Sequence, residues 1–171
     1  MSCKISGRKS KGKAFEKKVA DLLHDFLYQN VIEYRKLFDE CGNDNLKPKR
    51  DSSSGTFKNS DNDIDLGIAK KFFPFSIECK HNILVNKLTI TSLLKNNLHF
   101  IRKTFKQAQE HALKSNLTPM IIMRGNHTSD IVVVENTPEF HKQLPKCKIR
   151  LIVNDLIIFE LNEFLKSYFS I

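Results

Sequence analysis

Two short segments place carboxylates and a lysine where they could do chemistry: Asn62-Asp63-Ile64-Asp65-Leu66 and, further on, Ile77-Glu78-Cys79-Lys80. Alternate residues of a strand share a face, so Glu78 and Lys80 point one way while Ile77 and Cys79 point the other. If the two segments are the arms of a hairpin, an acid of the first lies beside Glu78, and two carboxylates and an ammonium share one small volume. Mg2+ is held by one or two carboxylates together with waters and substrate phosphate. A lysine beside such an ion can orient or deprotonate an attacking water and offset charge on a pentavalent phosphate. The chemistry implied is metal-assisted attack of water on a phosphate ester. An isolated Glu-x-Lys triplet is common on solvent-facing strands; here an acid-rich turn precedes it at hairpin distance. Asp63 and Asp65 share a strand face, and either could be the partner acid.

The elements that must position this set follow from hydrophobic periodicity. Ser10 is a plausible N-cap for a helix over Lys11–Gln29, with Phe15, Val19, Leu22, Leu23, Phe26 and Leu27 at helical spacing. Glu16 lies on the row with Ala20, Leu23 and Leu27, so this acid sits on an apolar side and needs a partner, which a metal site would supply. Val31–Phe38 reads as a strand at an edge, and Asp39–Ser60, rich in Asn, Asp, Ser, Lys and Gly, as a flexible loop. Ile64–Ala69 and Phe73–Cys79 read as the hairpin. Asn86–Asn116 has the pattern of one or two helices with Leu94, Leu98, Ile101, Phe105, Ala108 and Ala112 as the stripe. Pro119–Met123 and Asp130–Glu135 read as strands joined by a turn at Gly125-Asn126-His127, Ile149–Val153 as another strand, and Glu160–Tyr168 as a terminal helix. The expectation is one α/β domain over residues 1–171, with a basic N-terminal segment 1–13.

Charge points to a polyanionic partner. The 171 residues carry 28 Lys+Arg against 19 Asp+Glu, a net charge of +9. It is concentrated: from Met1 to Lys18, Lys4, Arg8, Lys9, Lys11, Lys13, Lys17 and Lys18 stand against a single acid, Glu16, and Lys80–Arg124 carries a single acid, Glu110. Two such segments brought together make a phosphate-binding face. One tempting motif is set aside: Gly7-Arg8-Lys9-Ser10-Lys11-Gly12-Lys13-Ala14 matches GxxxxGK, but Ala14 stands where a nucleotide site needs Ser or Thr, and no strand precedes it. No nucleotide cofactor is expected. Apolar runs such as Ile131–Val134 and Leu156–Phe159 are far too short to span a membrane, and the N-terminal residues lack the apolar stretch of a secretory signal. Cys3, Cys41, Cys79 and Cys147 are scattered, with no CxxC pair. The chain reads as intracellular, with reduced thiols.

Taken in order, Glu16, Asp65 and Glu78-x-Lys80 resemble the PD-(D/E)xK nuclease superfamily, particularly Holliday-junction resolvases and phage-type endonucleases. The quoted stretches are GRKSKGKAFEKKVADLL, the serine-rich Ser52–Gly55, DIDLG and IECK, then Lys106-Gln107-Ala108 and Pro119–Arg124. The resemblance implies a restriction-endonuclease-like core, a central mixed β-sheet flanked by helices in the order αβββαβ. It favours Asp65 as the metal-binding acid, with Asp63 in reserve, although no proline precedes either. It further implies Mg2+ (or Mn2+) held by Asp65, Glu78, the Cys79 carbonyl and Glu16, catalysis by these with Lys80 and Gln107, and DNA binding by Arg8, Lys9, Lys11, Lys13 and Ser54. A homodimer acting on branched DNA in recombination, repair or phage DNA processing is implied by resemblance only. The alternatives are a restriction-like or non-specific nuclease on duplex DNA, and a non-catalytic nucleic-acid-binding protein, which would gain nothing from clustered carboxylates.

Overall fold

The structure, a computed structural model, describes residues 4–41, 46–52, 62–81, 99–125, 129–138, 141, 147 and 150–169, with side chains from Ser10 onward. Helix α1 (Lys4–Asn30) begins well before Ser10, which lies inside the helix and is not its N-cap. Its stripe of Phe15, Val19, Ala20, Leu23 and Leu27 is buried in the main core.

Of residues 31–38, expected as a strand, all but Val31 belong instead to a second helix, α2 (Ile32–Cys41). The β-branched pair Val31-Ile32 favours a strand locally, but packing against α1 overrides that weak preference. Val31 N–H donates to the Leu27 carbonyl at 2.8 Å, so the chain runs almost unbroken from one helix into the next. Tyr34, fully buried, meets His24 Nδ1 through its hydroxyl at 2.9 Å, and the Phe38 ring lies 4.8 Å from the His24 ring. The stretch expected as a flexible loop is also partly structured. Asp39–Cys41 complete α2, and Lys49–Arg50 form strand β1. Residues 42–45 and 53–60 of that stretch lie outside the described residues.

Strand β2 (Ile64–Asp65) pairs antiparallel with β1, setting Lys49 opposite Asp65 and Arg50 opposite Ile64. A 3-10 turn over Gly67–Lys71 then leads into β3 (Phe75–His81). The expected hairpin is therefore corrected: its first arm ends after Asp65 and pairs with β1. Gly67 explains the break. Its φ is +54°, and a Cβ there would stand 2.6 Å from the Leu46 carbonyl oxygen, so only glycine turns the chain at this point without strain.

The main sheet has the order β3-β4-β5-β7-β6, with β4 at Thr118–Arg124, β5 at Ile131–Glu135, β6 at Arg150–Val153 and β7 at Leu156–Glu160. Helix α3 (His99–Ser115) is the crossover that lets β3 and β4 run parallel; the other pairs are antiparallel. The expected helix over Asn86–Asn116 is realised from His99; residues 86–98 lie outside the described residues, as do Asn126 and His127 of the expected turn. Strand β7, legible only as an apolar run, pairs with β6 through a two-residue turn at Asn154-Asp155, where Asn154 takes a φ of 55°. Helix α4 (Leu161–Phe169) closes the chain.

Two apolar layers hold the sheet. On one face Ile77, Cys79, Met120, Ile122, Val132 and Phe159 pack with α1 and α4. On the other, Ile121, Met123, Val133 and Ile158 pack under Ile101, Phe105 and Ala108 of α3. The result is an α/β fold with a mixed five-stranded sheet flanked by helices, and the order α1-β1-β2-β3-α3-β4 reproduces αβββαβ once α2 is set aside. Among the described residues no helix is long and apolar enough to cross a membrane.

Candidate active site

Strand β3 is an edge strand of the main sheet, and its outer edge is occupied by Asp63. Asp63 N–H donates to the Ile77 carbonyl at 3.1 Å, and Asp63 Oδ2 accepts the Cys79 N–H at 2.8 Å. Backbone and side chain of one residue thus take two successive ladder positions. The Asp63 carbonyl accepts from Asp51 N–H at 2.9 Å, and the neighbouring Asn62 Oδ1 accepts the hydroxyl of buried Ser76. Because N–H and C=O of one strand residue point to the same edge, the Cys79 carbonyl also faces the Asp63 side.

Glu78 faces α3, in register with Ile121 of β4. Its side chain is 4% exposed; Oε1 accepts from the Lys80 ammonium, and Oε2 lies 3.6 Å from His111 Nδ1. That nitrogen is buried and, among the described residues, has no hydrogen-bond partner. At 3.6 Å it is beyond a proper hydrogen bond to Glu78. Glu16 arrives from α1. Phe15, its neighbour, is wedged between the His81 ring at 6.2 Å and the Arg124 guanidinium at 5.0 Å, which pins this turn of the helix over the C-terminal ends of β3 and β4. Glu16 Oε2 accepts from Arg50 Nε at 2.6 Å.

Burial and neighbouring charge both act on the groups of the site. Burial, then the Asp63 charge, raise the Glu78 carboxyl above the ordinary glutamate range, although Lys80 and His111 pull it down. Burial and Asp63 likewise raise Glu16 against the opposing pull of Arg50 and Lys80. For Lys80 burial is the largest influence and acts downward, but the charge and hydrogen bond of Glu78, with Asp63 and Cys79, outweigh it and leave the ammonium raised. Both members of the Glu78–Lys80 pair are therefore raised: burial acts first on Glu78, while the charges of Glu78 and Asp63 hold the proton on Lys80 against burial. Lys80 is thus held in its cationic form, beside the Glu78 carboxylate that accepts from it. Burial pushes the Cys79 thiol far up, which removes it as a thiolate ligand or nucleophile.

Among the described residues, no three His, Cys, Asp or Glu side chains converge into a finished ligand set. Glu16 is turned toward Arg50, and Glu78 toward Lys80. The donor chemistry nonetheless fits a hard divalent cation: carboxylate and carbonyl oxygens, net negative charge, and no accessible thiolate. An ion that keeps most of its waters needs only one or two of these carboxylates.

The structure thus gathers Glu16, Asp63, Glu78, Lys80 and the Cys79 backbone. Asp65 is held otherwise: its Oδ1 accepts the Gly67 N–H at 3.0 Å and closes the turn after β2. Gln107 is exposed on α3, one turn before His111, and it is His111 that meets Glu78. Lys11 and Lys13 are exposed on α1; the side chains of Arg8 and Lys9, and all of Ser54, lie outside the described residues. Sequence reasoning passed over Arg50, which sits in an apparently loop-like stretch, and the Asn62–Ser76 clasp. Both become visible only once β1 and β3 are placed.

A mixed sheet with a crossover helix, carrying an Asp beside the Glu-x-Lys of an edge strand, defines the restriction-endonuclease-like class of proteins. A model of the family described as "Phage putative PDDEXK endonuclease" matches residues 7–171, and the chain belongs to that family. No curated protein and no solved structure matches it.

Proposed function

We propose that this protein is a metal-dependent endonuclease that hydrolyses phosphodiester bonds of DNA, with Mg2+ or Mn2+ as its ion. The observation that carries the reading is the double hold of Asp63 on β3, which brings a second carboxylate beside the buried Glu78 and the Lys80 ammonium. Asp63 and Glu78 would hold the ion with the Cys79 carbonyl, and Glu16 would complete the set directly or through water. Asp65, favoured by the family pattern, instead serves the turn at Gly67. When bound, the ion supplies Lewis-acid polarisation of the phosphate and a more acidic water.

The chain's own groups do the rest. Lys80 keeps its charge, donates one N–H to Glu78, and directs its others at the attacking water or the scissile phosphate. As the P–O bond to the leaving group breaks, the ammonium offsets charge developing on the phosphate oxygens. Lysines of α1 grip the backbone without reading sequence. Preference for branched DNA, a homodimeric assembly and a role in recombination, repair or phage DNA processing rest on the family resemblance.

The test is cleavage of a labelled four-way junction and a matched linear duplex, with Mg2+ or with EDTA, by wild type and Lys80→Ala. Metal-dependent nicking lost in the variant is expected, and junction preference would support the resolvase-like form. Equal cutting of both substrates would move the reading to a general or restriction-like nuclease. Binding without cleavage under any divalent metal would leave a DNA-binding module.

A further inference from the structure

Beside the carboxylates, on the far side of Glu16, an open groove of about 550 Å³ runs between α1 and the segment entering β1. Lys13 and Lys17 line it from the helix, Lys47, Lys49 and Arg50 from the opposite wall, and Asp21 is the one acid among the described residues that line it. Ala14 and Ala20 form a floor of small side chains, so the lysine stems can bracket a strand-like ligand. Five cations against one acid in a groove open to solvent suit a chain of phosphates, and they suit no metal or acidic small molecule better.

Arg50 belongs to both places. It lines the groove, and its Nε–H is the donor that Glu16 accepts at 2.6 Å. Guanidinium binds phosphate and carboxylate through the same planar fork, so the two acceptors compete for one group. The pair is only part-exposed, with side chains 23% and 13% accessible, so the partner that wins is held strongly.

We propose that this groove holds the phosphodiester backbone flanking the scissile bond, and that a phosphate bound there takes Arg50 from Glu16 and so releases Glu16 to the carboxylate cluster. The inference rests on the nuclease reading and adds to it a backbone site and a link between DNA and metal binding. Coupling of this kind is reciprocal: the metal must tighten DNA binding by the same factor that DNA tightens metal binding.

Two measurements test it, with Ca2+ as the metal probe and a short labelled duplex shown intact on a gel. First, fluorescence anisotropy over a salt series is compared for wild type and Lys47→Ala/Lys49→Ala, both checked for folding by their melting curves. Losing two phosphate contacts is expected to weaken binding and flatten the slope of log K against log salt by about 2; an unchanged slope in a folded variant overturns the groove. Second, calorimetric Ca2+ titrations are run with and without duplex for wild type, Arg50→Met and Arg50→Lys. Duplex is expected to raise the wild-type Ca2+ affinity by at least about fivefold, with that factor clearly reduced in Arg50→Met and less so in Arg50→Lys. Coupling that is undiminished in Arg50→Met, or wild type without coupling, overturns the Arg50 link. Because neither measurement reads cleavage, a groove that fails in a protein that still cuts DNA refutes this inference alone. A groove that behaves as expected in a protein that never cuts refutes only the catalytic reading.

Discussion

Asp63 Oδ2 accepts the Cys79 N–H at 2.8 Å, so a carboxylate takes the place that a neighbouring strand's carbonyl would occupy on the edge of β3. The same bond closes the edge of the sheet and holds the acid next to Glu78. Asp65, two residues on, spends its carboxylate on Gly67. The two aspartates of DIDLG therefore make separable demands on a mutant.

Asp63→Asn is expected to cut the cleavage rate by at least about a hundredfold, since even the outer partners of metal ligands commonly cost tenfold to a hundredfold. Asp65→Ala is expected to retain activity and lose about 1 kcal/mol of stability with its capping hydrogen bond. Parallel cleavage assays and denaturant melts of the two variants check this. A dead Asp65→Ala with an active Asp63→Asn would reverse the assignment.

The raised carboxyls set a pH dependence. Glu16 and Glu78 titrate above 4.5 in the folded chain, chiefly through burial and then through Asp63. The folded state therefore binds these protons more tightly than the unfolded state. The stability they contribute is complete below pH 4.5 and is lost as pH rises through their folded-state values. A divalent ion relieves the ionised cluster, so Mg2+ should raise Tm more at neutral pH than in the acid range where these groups are protonated. Melting curves with Mg2+ and with EDTA across that range give the comparison.

Gly67→Ala forces a Cβ to within 2.6 Å of the Leu46 carbonyl oxygen at a φ of +54°. A loss of about 1–3 kcal/mol is expected, in line with a strained backbone position. Because the turn follows directly on β2, cleavage should also fall in the folded fraction. Urea unfolding with activity measured on the same samples would separate the two effects.

His111 brings Nδ1 to 3.6 Å from Glu78 Oε2, and among the described residues that nitrogen has no hydrogen-bond partner. Replacement by Gln is expected to weaken apparent metal affinity by about tenfold while the melting temperature changes little. The measurement is the metal concentration at half-maximal cleavage, set beside the thermal melt; equal metal dependence in both proteins would make His111 a packing residue only.

Much of this was legible in the chain alone because it depends on local periodicity. The stripe of α1, the stripe of α3 from Ile101 to Ala112, the strands at β4 and β5 and the closing helix all follow from which residues recur on one face. So did the grouping of Glu16, Glu78 and Lys80, which needs only the two-residue repeat of a strand and an acid on an apolar helix row. Other features were beyond reach for a common reason. That 31–38 is helical depends on Tyr34 and Phe38 meeting His24, a contact with another element. Strand β1 exists because Lys49–Arg50 finds β2, and Arg50 reaches Glu16 only after that pairing. Which of two aspartates on one presumed face stands beside Glu78 was decided by the Gly67 turn and the hydrogen bonds to Ile77 and Cys79. Periodicity assigns residues to faces, but hydrogen bonds between segments distant in the chain decide which acid lies at the edge of β3, and only the tertiary structure contains them.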